Sequence, residues 1–262
     1  MAEQETDKAK AAQGIPAATV VIFRTAPDGG PPQILMQVRS RSLAFAGGMA
    51  VFPGGRIDES DRVLAESAGL TDRDEAAHRI AAIRETLEET GLALGLTGTI
   101  DAERAAQARN MLDKEGALSP VLRHFDWQLA LADLVPFARW FPQNERLSRV
   151  FDTRFYLANL GTGAVDIAVD AQENTHLFWT SAAEALRSAD EGKIDVIFPT
   201  RRNLERLAPF ASFEEARAHA EATPVQTIIP WVEKSPQGRF LCIPGDAGYP
   251  VTSVRLDEAK RG

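Results

Sequence analysis

One cysteine, Cys242, occurs in 262 residues. A lone thiol forms no internal disulfide, and sites built from repeated cysteine ligands are excluded. Flanked by Leu241 and Ile243, Cys242 reads as an inert buried thiol rather than a nucleophile. Positive charge is in deficit: 29 Lys and Arg stand against 37 Asp and Glu, giving a net charge of −8 and a pI near 5.2. That balance argues against a protein that grips nucleic acid by its backbone. It leaves room for a small anionic substrate, because a metal ion supplies positive charge locally. No apolar run approaches the roughly 18–20 residues of a membrane span. The stretch from Met1 to Gln13 is polar and lacks the apolar middle of a secretory signal. The expectation is a soluble, cytoplasmic protein with neither membrane nor nucleic acid as partner. The four histidines, His78, His124, His176 and His219, are far apart, and no pair has helical metal-ligand spacing. Neither a Gly-x-Ser-x-Gly elbow nor a phosphate-binding Gly-x-x-x-x-Gly-Lys-Ser/Thr loop occurs.

The length suits one large domain with insertions. Met1 to Gly14 is expected to be a disordered tail, and residues 15–262 a single domain. Ala17 to Phe23 is a compact β-branched run, hence a buried strand, and Ile34 to Val38 returns beyond a proline- and glycine-rich turn. Met49 to Phe52 is a short apolar run ended by Pro53-Gly54-Gly55. The strongest helix runs from Glu75 to Thr90, with Asp72 or Asp74 as cap and Gly91 as stop. Further helices are expected over Asp101–Glu115, partly over Pro120–Leu134, and over Ser181–Ala189, Arg201–Leu207 and Ser212–Ala222. Thr153–Ala158 and Thr175–Trp179 alternate like strands, and Thr227–Pro250 holds short extended pieces. Strands alternating with helices, with hairpin-like pairs among them, predict an α/β sandwich with a mixed sheet.

Within the strong helix, Arg84-Glu85-Thr86-Leu87-Glu88-Glu89-Thr90-Gly91-Leu92 stands out. Glu85 lies three residues before Glu88 and four before Glu89, so all three carboxylates share one helix face. Crowded carboxylates raise one another's pKa, and a divalent cation between them relieves the repulsion. Hard cations such as Mg²⁺ and Mn²⁺ prefer these donors. Taken alone, such a triplet is also what a solvated helix face looks like. Its context is a glycine loop, Gly54-Gly55, followed by acidic residues. Glycine permits close backbone approach, so loop and helix can meet one phosphate.

These residues resemble the Nudix hydrolase box: a glycine, five residues, a glutamate, seven residues, then Arg-Glu-aliphatic-x-Glu-Glu-x-Gly-aliphatic. Gly55 supplies the glycine and Asp61 stands at the first acidic position. Arg84, Glu85, Leu87, Glu88, Glu89, Gly91 and Leu92 match the second half, with Thr86 where an aliphatic residue is usual. Between them Arg62 to Ile83 is 22 residues rather than seven, an insertion of 15, placed at about 62–76. Residues from about Val63 to Asp72 are expected to protrude. The chain is similar to the peroxisomal Nudix type 19 subgroup, coenzyme A diphosphatase-like enzymes with the same interval expanded. Flanking likeness runs from about Ala17 to Pro250. The implied fold is a Nudix α/β/α sandwich with an insertion within the box and a helical C-terminal extension over about 188–262.

The resemblance implies a Mg²⁺- or Mn²⁺-dependent hydrolase of a nucleoside diphosphate linked to another moiety, with coenzyme A or acyl-CoA the best match. The coenzyme A signature before the box is met by Arg39, Ser40, Leu43, Gly48 and Phe52 to Gly55. Ala46 replaces its histidine and Ala50 its valine. Cleavage of ADP-ribose or an NADH-type dinucleotide, and a catalytically silent nucleotide-binding module, remain as alternatives. Glu88 and Glu89 are implied as first metal ligands and Glu85 as third, with Arg84 orienting a box carboxylate. Glu173 is the candidate carboxylate from outside the box, with Asp170 and Glu145 competing. Asp61 reads as a loop brace or an acid in the outer layer of the metal site, or equally as a cap for the insertion. Gly54, Gly55, Arg39 and Arg154, with Arg41, are candidates to meet substrate. Phe45, Phe151, Tyr156 and Trp179 could stack on a base, although aromatics so placed are usually core. The expected partners are a small nucleotide-type substrate and at most a second copy in a homodimer.

Overall fold

The computed structural model describes residues 14–40, 46–69, 71–143, 150–160 and 174–259. Strand β1 (Ile15–Arg24) organises the sheet. Its apolar run shows little alternation because both faces are covered. Ala18, Val20 and Ile22 enter one core, while Val21 and Phe23 enter the other. One edge of β1 pairs in parallel with β8 (Phe151–Asn159) along its length. The other edge is shared. Phe23 and Arg24 pair antiparallel with β2 (Gln33–Arg39), whereas Ala17 to Thr19 pair antiparallel with β4 (Gly54–Arg56). The outer edge of β2 carries β9 (Asn174–Thr180), and its inner edge, beyond the pairing with β1, carries β3 (Ala50–Val51), both antiparallel. Beyond β8 lie β7 (Val135–Trp140), antiparallel, and β10 (Thr227–Ile228), parallel to β7. The sheet is mixed, as expected, and a short antiparallel pair, β5 (Leu96–Thr97) and β6 (Gln128–Leu129), stands apart from it.

Helices cover both faces. On one side α2 (Arg73–Thr90), α3 (Ala102–Glu115) and α4 (Leu118–Phe125) bury Ile80, Ile83, Leu87, Leu112 and Val121 against Val20 and Leu35. On the other, α5 (Ala182–Asp190), α6 (Phe198–Leu207) and α7 (Phe213–Ala222) bury Ala185, Leu204 and Ala220 against Val21 and Met36. This is an α/β/α sandwich. The chain closes in an antiparallel sheet of β11 (Trp231–Ser235), β12 (Gly238–Cys242) and β13 (Ser253–Arg255). Its C-terminal region is keyed to the main sheet by Tyr249, whose hydroxyl donates to Asn203 Oδ1 (2.7 Å) and accepts from Trp140 Nε1 (2.9 Å). Among the described residues, no helix is long and apolar enough to cross a membrane.

Helix α2 starts and stops where its end residues dictate. Asp72 Oδ1 accepts from the Glu75 N–H at 3.0 Å, and Gly91 takes a left-handed φ of 76° while its N–H donates to the Leu87 carbonyl. The inserted stretch departs from expectation in part. It begins as a helix rather than a loop: residues Glu59–Ser67 form α1, packed on α2, with Ala65 at 0% exposure, while Val63 at 56% and residues 66–69 are exposed. A small residue at the contact lets two helices approach closely.

Candidate active site

The last turns of α2 set the site. Leu87 points into the core at 0% exposure, which fixes the rotation of the helix. Thr86, polar where an aliphatic residue is usual, is equally buried, because its hydroxyl donates to the Ala82 carbonyl at 2.7 Å. The remaining face carries Glu85, Glu88 and Glu89.

Arg84 is buried and every one of its N–H groups is engaged. Nε donates to Asp61 Oδ1 (3.0 Å), and Nη2 donates to Asp61 Oδ2 (3.0 Å) and to the Arg56 carbonyl (2.9 Å). Nη1 donates to Glu85 Oε1 and Glu88 Oε2, each at 3.0 Å. Asp61, itself 1% exposed, also accepts the Asp58 N–H at 2.9 Å. One arginine therefore ties the α1 insertion, the β4 backbone and two of the helix carboxylates together. Asp61 thus both braces the loop through Arg84 and caps the insertion.

Glu89 faces the place where β1 and β2 diverge, β4 pairing with the one and β3 with the other. Its Oε2 accepts from the Gly54 N–H (2.7 Å) and from Gln37 Nε2 (2.8 Å). The glycines are required by geometry. Gly54 has φ 150°, and a Cβ there would lie 2.3 Å from the Ala18 carbonyl oxygen. A Cβ on Gly55 would lie 2.3 Å from the Glu85 carboxyl carbon, so this backbone lies directly against that carboxylate.

A family model for the NUDIX domain matches residues 15–195. The chain belongs to the Nudix hydrolase family. Membership makes it a diphosphate hydrolase in class. It is 25% identical to the acyl-coenzyme A diphosphatase NUDT19 of Gallus gallus, over 93% of this chain and 82% of that protein. Against NUDT19 of Xenopus laevis the identity is 23%, over 83% of this chain and 71% of that protein. Among solved structures, a Nudix hydrolase from Alicyclobacillus acidocaldarius superposes with a TM-score of 0.66 at 25% identity, covering 79% of this chain and 96% of that one.

The electrostatics of this Nudix box follow from burial and crowding. Burial pushes the Glu85 carboxyl up to about 8; Arg84 opposes that rise, and Glu89 and Glu88 add to it. Glu88 is likewise raised by burial, again against the pull of Arg84. Burial works against the charge on Arg84, but Asp61, Glu85 and Glu88 outweigh it and hold the guanidinium above its ordinary range. Among the described residues, no three acidic or histidine side chains already stand close enough to clamp a metal ion. The donor chemistry nevertheless fits one: three carboxylates lie on one face, and Glu85 is penalised for its charge by two neighbours that a cation would screen.

The other expected site residues are divided. Arg39 ends β2 on the α2 side of the sheet, since Leu35, Gln37 and Arg39 alternate onto that face. Its buried Nε has no hydrogen-bond partner among the described residues. Arg154 is not brought to the box carboxylates. It pairs with Asp74 and with Glu75 Oε2 (2.6 Å) in the first turn of α2, about 15 Å along the helix from Glu85. Tyr156 is core at 1% exposure and donates to Glu75 Oε1, and Trp179 is covered by the Arg24 guanidinium at 4.3 Å. Arg41, Phe45, Glu145, Asp170 and Glu173 lie outside the described residues. Two contacts had no signal of their own in the sequence: Gln37 on Glu89, and Arg109 of α3, whose Nε donates to the Glu88 carbonyl at 2.8 Å.

Proposed function

We propose that the protein hydrolyses the diphosphate of coenzyme A or an acyl-coenzyme A, with Mg²⁺ or Mn²⁺ held by Glu85, Glu88 and Glu89. The observation that carries the reaction class is the convergence of Glu85 and Glu89 on the Gly54–Gly55 turn, with Glu88 tied to Glu85 through Arg84. A bound divalent ion supplies phosphoryl polarisation and an activated water. The chain's own residues supply the rest. Glycine keeps the loop clear of side chains, so that a phosphate can approach the backbone. Arg84 and Asp61 hold Glu85 and Glu88 in place. Glu173 is a further candidate ligand from outside the box.

The choice of coenzyme A is supported by the likeness to acyl-coenzyme A diphosphatases along nearly the whole chain. Coenzyme A carries a 3′-phosphate as well as its diphosphate, and a protein of net charge −8 must meet it with a local cation. Arg39 is the candidate, with a buried N–H that has no partner among the described residues. Arg154 is spoken for by Asp74 and Glu75 and is the weaker candidate.

The test is product analysis after incubation with coenzyme A, NADH and ADP-ribose, with Mg²⁺ or Mn²⁺ and with EDTA. Coenzyme A should yield 3′,5′-ADP and 4′-phosphopantetheine, and EDTA should stop the reaction. Arg39→Ala should lower kcat/KM for coenzyme A more than for 3′-dephospho-coenzyme A. A second reading, an ADP-ribose or dinucleotide pyrophosphatase, is favoured by Ala46 in place of the signature histidine. Cleavage of ADP-ribose without cleavage of coenzyme A would select it. Absence of turnover on the whole panel would select the silent binding module.

A further inference from the structure

Gln37 is the one polar residue in the run Ile34 to Val38 of β2, and it is completely buried. Its neighbours Leu35 and Met36 are completely buried too, and apolar. An apolar side chain at this position would be the simpler choice for the fold, because a buried amide must find partners for both its ends. Gln37 finds only one. Its Nε2 donates to Glu89 Oε2 at 2.8 Å, whereas its buried Oε1 has no hydrogen-bond partner among the described residues. Turning the amide over would not help, since it would set Oε1 against a carboxylate oxygen. The orientation is therefore dictated by Glu89, and the stranded Oε1 is its cost.

The Gly54 N–H donates to the same Glu89 oxygen from β4. Two donors on two strands that do not pair with each other thus fix one carboxylate oxygen. Buried carboxylates that bind metals are oriented by such outer hydrogen bonds, and removing one weakens metal binding.

We propose that Gln37 is a positioning residue of the metal site: its amide fixes the Glu89 carboxylate in the orientation that binds the divalent ion, and so sets metal affinity. This rests on Glu89 being a ligand, as proposed above. Gln37 itself touches neither metal nor substrate.

The experiment is Mn²⁺ titration of the full chain followed by the electron paramagnetic resonance signal of free Mn²⁺, alongside steady-state kinetics. Gln37→Met keeps length and volume and removes the donor. Gln37→Asn keeps the amide but falls short of Glu89, and it carries the test where Gln37→Met fails to fold. In either variant the Mn²⁺ dissociation constant should rise about tenfold or more. At saturating Mn²⁺ kcat should return to within about threefold of the parent, with unchanged KM for substrate, a split that a general loosening of the fold would not give. Unchanged Mn²⁺ affinity in a folded Gln37 variant overturns the proposal, as does a kcat that stays low at saturating metal. Glu89→Gln distinguishes the two layers: if it too binds Mn²⁺ like the parent, Glu89 is not a ligand and the underlying metal assignment fails.

Discussion

Asp61 holds Arg84 in a side-on grip, Nε and Nη2 each 3.0 Å from a carboxylate oxygen, across the whole inserted segment. Both side chains are at most 3% exposed. Removing one partner of such a pair strands a buried charge, which costs about 3–5 kcal/mol. Asp61→Ala should fall at the low end, about 3 kcal/mol in urea unfolding, because Arg84 keeps Glu85 and Glu88. A loss below about 1 kcal/mol would show that the pair does not anchor the insertion.

The two box glycines should fail in different ways. Gly54→Ala forces a side chain into a φ of 150° against the Ala18 backbone, so it should destabilise the fold. Gly55→Ala meets only the end of the Glu85 side chain, which can move. It should fold with little loss in melting temperature and lose at least about 10²-fold in kcat, a few kcal/mol of transition-state stabilisation. Near-normal turnover in Gly55→Ala would mean that the place of the Glu85 carboxylate is not critical.

Glu85 makes the metal-free protein sensitive to pH. Its folded pKa, about 8, lies above the ordinary value of 4.5. The unfolded chain therefore releases this proton first, and the stability contributed by protonated Glu85 is lost as pH rises from about 4.5 through 8. Glu85→Gln should raise the melting temperature in EDTA at pH 8.5 and do so much less at pH 5, while abolishing turnover. An equal effect at both pH values would contradict the assignment.

Within the insertion, Ala65 and Val63 are two residues apart and should respond oppositely. Ala65 has no exposed surface, so Ala65→Glu overfills the α1–α2 contact and buries a charge, and should cost more than about 2 kcal/mol. Val63 is 56% exposed, and Val63→Lys should stay within about 0.5 kcal/mol. Thermal melts of the two variants measure this directly.

Helix α2 was legible in the sequence because its cap, its stop and its apolar stripe are all local. Helix α1 was not. What holds it is a charged residue, Asp61, and a small one, Ala65, and neither gives a periodic apolar signal. The three carboxylates could be placed on one face from spacing alone, but the guanidinium standing between two of them could not, since Arg84 takes its place from Asp61 and the Arg56 carbonyl. Arg154 reads like a substrate contact until Asp74 and Glu75, some 80 residues earlier in the chain, are brought beside it. Gln37 looks like ordinary strand polarity, and its partner lies 52 residues away.

The family match ends at residue 195, yet the second core of the sheet does not. Leu204, Leu207, Ala216, Ala220, Ile243 and Tyr249 all come from later in the chain, and they cover Phe137, Trp140 and Met36. A ribosome that has released only the matched portion has therefore made the entire box but just one full wall of its support and, in α5, a fragment of the other. The nascent polypeptide must wait for its final stretch before the strands bearing the glycine turn have a stable floor. Chains interrupted by a late nonsense codon should accumulate as chaperone clients or protease substrates, with every box residue intact.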